Sequence, residues 1–99
     1  MPRYLLTASG PRPPYYSLAE HLWGAGCDFD SDGDSNEPEA TDWTELTVTL
    51  RTDPEQRVDI DPVEDQKLFV LAIRSDSEEL ARRAAEFLQR EAGGELASD

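Results

Sequence analysis

Ninety-nine residues with 22 acids against nine bases carry a net charge of −13, and a chain of this length buries one small core but not two. The charge disfavours direct nucleic-acid binding because phosphates are repelled, and no apolar run approaches the roughly 20 residues needed to span a bilayer. Cys27 is the only cysteine, which excludes an intrachain disulfide and a multi-cysteine metal site and suits a reducing compartment.

The stretch 1–6, MPRYLL, is too short and too soon interrupted for a signal peptide, so a cytoplasmic protein is the expectation. Tyr4-Leu5-Leu6-Thr7-Ala8 reads as a first strand, stopped by Gly10 and by Pro11, Pro13 and Pro14. Tyr15 and Tyr16 then decorate a loop packed over the core edge. Ser17-Leu18-Ala19-Glu20 has the S-x-x-E form of a capping box and opens a short helix with Leu18 and Leu22 inward, ended by Gly24 and Gly26. His21 lies on that helix with no second histidine in the chain, which points to a surface or boundary residue.

From 27 to 42 the chain is polar and acidic and shows neither helix nor strand period, so an acidic loop is expected. Trp43 marks the return to structure. Leu46, Val48 and Leu50 alternate with Thr47, Thr49 and Arg51, and Val58 and Ile60 alternate with Arg57, Asp59 and Asp61. Period two predicts a hairpin of half-buried strands about the turn Asp53-Pro54-Glu55-Gln56.

The run 68–73, LFVLAI, has the length and composition of a strand buried on both faces, inside the sheet. A helix follows: Asp76 or Ser77 caps it, Glu78 and Glu79 suit its first turn, and Leu80, Ala84, Phe87 and Leu88 form its apolar stripe up to Gly93. Residues 95–99 are expected to fray. The fold class is therefore α+β, a two-layer sandwich of order β-α-β-β-β-α on an antiparallel sheet, one domain over 1–94. Should the face of 68–73 away from the helix prove bare, dimerisation through the sheet follows.

The charge is concentrated. Between Asp28 and Gln66 fourteen acids face two bases, Arg51 and Arg57, a net of −12, leaving −1 for the rest. Asymmetry of this kind marks a surface that meets a cationic partner. The contacts expected from it are Asp30, Asp32, Asp34, Glu37, Asp42 and the strand acids Asp59 and Asp61. Phe29, stranded among aspartates, and Trp43, which also reads as a core tryptophan, are the aromatic anchors. Carboxylates of no catalytic spacing, one His and one Cys do not make an active site, so no catalysis is expected.

Three resemblances bear on function. Residues 28–39 resemble the twelve-residue calcium loop of an EF-hand, with Asp28, Asp30, Asp32, Asp34, Asn36 and Glu39 at ligand places and Gly33 at the sharp turn. That resemblance implies a calcium-binding module as the alternative function. Ser35, Pro38 and the absence of an exiting helical pattern depart from that family. The helix-strand-strand-strand-helix order resembles a double-stranded-RNA-binding domain, but Asp76, Glu78 and Glu79 stand where that family carries lysines. Small size and gathered acidity resemble the immunity and antitoxin proteins that plug the basic site of a nuclease or other toxin, which implies a non-catalytic inhibitor of a basic protein partner.

Overall fold

The computed structural model describes residues 3–8, 10–33, 43–63 and 70–98. Its elements run β1 (Arg3–Thr7), α1 (Tyr15–Trp23), β2 (Phe29–Gly33), β3 (Leu46–Leu50), β4 (Arg57–Pro62), β5 (Val70–Arg74), α2 (Glu78–Ala92) and β6 (Glu95–Ser98). The strands form one antiparallel sheet in the order β2-β3-β4-β5-β1-β6, and both helices pack on the same side of it. This is the α+β sandwich expected from the sequence, with the hairpin β3–β4 in the anticipated phase, Val48 opposite Val58 and Leu46 opposite Ile60. Asp34, Asn36, Glu37, Glu39, Asp42, Leu68 and Phe69 lie outside the described residues.

Alternation assigns each strand residue a face. Leu6, Leu46, Val48, Val58, Ile60, Leu71 and Ile73 point to the helices and are buried, where they meet Leu18 and Leu22 of α1 and Leu80, Ala84, Phe87 and Leu88 of α2. The second helix starts as its sequence dictates: the Ser77 hydroxyl accepts from the Leu80 amide, and the Gly93 amide closes the last turn on the Gln89 carbonyl. Just before it, Ser75 is buried but satisfied, donating to the Arg57 carbonyl at 2.6 Å and accepting from the Ser77 amide.

Four local expectations are corrected. The first helix begins at Tyr15 on Pro14, without a side-chain cap, so the S-x-x-E box is not used. The reason is tertiary: Tyr15 is buried with its ring 6.0 Å from that of Trp43, which draws the residue out of the loop and into the helix. The acidic stretch 27–42 begins as strand β2. One apolar residue was too weak a period signal, yet Phe29 pairs with Leu50 and packs on the core, and the Arg51 amide bonds the Asp28 carbonyl. The tail is β6, because Gly93 and Gly94, at φ of 76° and 102°, turn the chain back and lay Leu96 opposite Leu6.

The fourth concerns the central strand. It is internal, flanked by β4 and β1, and on the face without helices Ala72 is buried as expected, at 6% exposure, whereas Val70 is only half-buried, since no second layer lies over that face among the described residues.

Candidate interaction surface

The helix-free face of the sheet is where the charged strand residues converge. Register places Arg3, Arg74, Asp59, Thr47 and Asp32 in one row across β1, β5, β4, β3 and β2. Asp30 lies beside Thr49 in the next row, and Asp61 beside Ala72. Of the expected contacts, the structure thus gathers Asp30, Asp32, Asp59 and Asp61 on a single rigid surface.

Arginines interrupt that surface. Arg51 holds Asp28 at 3.1 Å and Asp30 at 2.7 Å, Arg57 holds Asp59 at 3.0 Å, and Arg74 holds Asp61. Thr47 donates a further hydrogen bond to Asp59 at 2.8 Å. Hydrogen bonds from Arg51 to Asp30 and from Arg57 to Asp59 raise the pKa of both guanidiniums. The sequence count of charge along the chain missed these pairs because Arg74 is remote in sequence from Asp61, and Arg51 from Asp28 and Asp30. The pairs are largely exposed, with Arg51 and Asp30 side chains at 55% and 64% of full accessibility, and exposed pairs contribute only about 0–1 kcal/mol each. Asp32 makes no ion pair among the described residues.

The edge position of β2 gives its aspartates a second physical role. Charged side chains on an edge strand discourage another chain from pairing with its free amides and carbonyls.

Neither aromatic anchor lies on the open face. Trp43 is 1% exposed and donates from its indole nitrogen to the Pro13 carbonyl at 2.8 Å, while Phe29 is half-buried against the core. Both placements have one cause: an aromatic ring next to the sheet gains from burial against the core.

The described part of the calcium set does not fit such a loop. Asp28, Asp30 and Asp32 alternate along an extended segment, so successive Cα atoms lie roughly 6–7 Å apart, whereas calcium ligands converge to about 2.3–2.6 Å from one ion. Arg51 already occupies the first two carboxylates, and among the described residues no three His, Cys, Asp or Glu side chains are grouped to hold a metal.

His21 and Cys27 both have structural employment. The Cys27 thiol is 3.6 Å from the Ala19 carbonyl, and burial pushes its pKa up, away from the nucleophilic thiolate. The His21 ring stacks on Phe87 at 4.5 Å, and Arg83 donates to its carbonyl. Burial, then Arg90 and Arg83, lower its pKa against a smaller opposing effect of Glu91. The unfolded chain therefore binds this proton more readily than the folded one, so the contribution is fully present above the ordinary histidine value of about 6.5 and is lost as pH falls from there through the lower value of the folded chain. Urea unfolding at pH values above and below that point is expected to show a slightly steeper acid-side loss for the native chain than for His21→Gln. Equal slopes would mean that His21 titrates as it does when unfolded.

At the other end of the open face the character changes. Leu5, Val63, Val70, Leu96 and Ala97, with Thr7 and Glu95, line a shallow cleft of about 290 Å³. Its signal in the sequence was the alternate set of the strand residues, Leu5 in one strand and Val70 and Ala72 in another. No described helix is long and apolar enough to cross a membrane. Compared with known proteins, the chain matches no family model, no curated protein and no solved structure.

Proposed function

We propose that this chain is a non-catalytic acidic interaction protein, most concretely an immunity- or inhibitor-type protein acting in the cytoplasm on a basic toxin or nuclease. The observation that carries the reading is the alignment of Asp30 and Asp32 on β2 with Asp59 and Asp61 on β4, all on the face that the helices leave open. A rigid sheet holds those carboxylates in fixed positions, where they can stand in for the phosphates that a basic enzyme receives, and opposed charge speeds encounter. The arginine pairs do not block this. Weak, solvated pairs exchange readily for a lysine or arginine of the partner, and Asp32 makes no ion pair among the described residues.

The test is capture on the immobilised chain at low and at high salt, with Asp32→Lys alongside the native chain. The expected result is retention of a basic partner that weakens steeply with ionic strength and by about tenfold in the variant, or roughly 1.4 kcal/mol. Retention of an acidic partner, or binding indifferent to both salt and Asp32→Lys, would overturn the reading.

A further inference from the structure

We infer that the apolar end of the open sheet face, over β5, β1 and β6, is where a second copy of this chain docks, face to face and about a two-fold axis. This goes beyond the partner reading and does not rest on it, since it uses the opposite end of the face.

The first argument is charge. A chain with a net charge of −13 resists self-association over most of its surface. The β5–β1–β6 end of the open face is the exception, because there Arg3 and Arg74 stand against Asp61 and Glu95. Two copies meeting there face the least repulsion.

The second argument is self-complementarity, which a two-fold interface requires. The centre of the patch is a row of three neighbours, the half-buried Leu5 between the exposed Ala97 and Ala72, the last already shielded within the single chain. Arg3 and Arg74 close one end of it, and Glu95, opposite Thr7, stands at the other. An axis crossing the strands at Leu5 lays that residue over its own copy and exchanges the two ends. Glu95 of each chain then falls one strand, about 4.8 Å, to the side of Arg3 of the other. The natural twist of each sheet splays the outer acidic strands apart at the corners.

Area sets the strength. Three strands about 4.8 Å apart and about five residues long give a patch of roughly 14 by 17 Å, so a pair buries on the order of 500 Å² in plan and somewhat more with side-chain relief. That lies below the roughly 1,200–2,000 Å² of stable complexes, and the dimer is accordingly reversible.

Sedimentation equilibrium of the full chain, from about 1 µM to about 1 mM, tests this. The apparent mass should rise with concentration toward twice that of the monomer. Ala97→Arg, an exposed position on an edge strand, should weaken association at least tenfold, with urea unfolding confirming that the variant remains folded. Arg3→Glu and Glu95→Arg should each weaken it about fivefold, and the double variant should recover most of the loss. A monomer throughout, a dimer indifferent to Ala97→Arg, or a double variant no stronger than either single one would each overturn the inference.

Discussion

Trp43→Ala is expected to cost about 3–5 kcal/mol, the range for emptying a buried tryptophan site, against a total for a domain of this size of about 5–15 kcal/mol. Three observations support a value in the upper part of that range. The side chain is almost fully buried and its ring leans on Tyr15 at 59°, so truncation strips contacts from the helix that Tyr15 begins. Its indole nitrogen serves the carbonyl of Pro13, itself buried, and that acceptor would be left unsatisfied. Its own carbonyl accepts from Arg12 at 2.8 Å, so the proline-rich connection and the entry to β3 are tied together through this one residue. Trp43→Phe separates the contributions: most of the apolar area stays, the donor goes, and about 1–3 kcal/mol is expected. Urea midpoints of the native chain and the two variants measure both. A loss below about 1 kcal/mol for the alanine variant would return Trp43 to the surface role that its position after an acidic stretch suggests.

Gly94→Ala is expected to detach or displace β6. A Cβ at this position would sit 1.8 Å from the Thr7 carbonyl oxygen and 2.8 Å from its carbon, and the backbone is at φ of +102°. The obstacle is backbone of the paired strand, not the end of a side chain that can swing away, so the strands must separate. Because β6 is a four-residue edge strand that pairs, among the described residues, with β1 alone, its detachment limits the damage. The loss is that of the Leu96 packing and the edge hydrogen bonds, about 2–3 kcal/mol, with the rest of the fold intact. Amide exchange should speed up selectively from 95 to 98 and on the exposed side of β1. Uniform acceleration would mean that β6 is integral to the fold and not an attachment to it. The same variant should weaken self-association, since Ala97 and Glu95 move with the strand.

Legibility followed the strength of the local pattern. The hairpin and α2 were readable because Leu46, Val48, Val58 and Ile60 keep period two, and Leu80, Ala84, Phe87 and Leu88 keep a helical period, over enough residues to outweigh chance. The second strand carried a single apolar residue, Phe29, and β6 carried Leu96, so nothing local distinguished either from a loop. The four acids of the open face could be placed on one side by alternation alone once β2 was known to be a strand. Their arginines could not, since Arg74 reaches Asp61 across a strand boundary that only the sheet order defines.

Composition and periodicity by themselves determined the α+β class, the helix-bearing core and the concentration of acid in one segment, because these depend on interactions within a few residues of chain. Tertiary structure alone decided that Trp43 and Phe29 point inward, that three arginines are interleaved with the aspartates, and that among the described residues both helices lie on one face of the sheet. Those outcomes depend on which strands become neighbours, and neighbourhood in a sheet is set by the packing of the whole core, not by any segment of it.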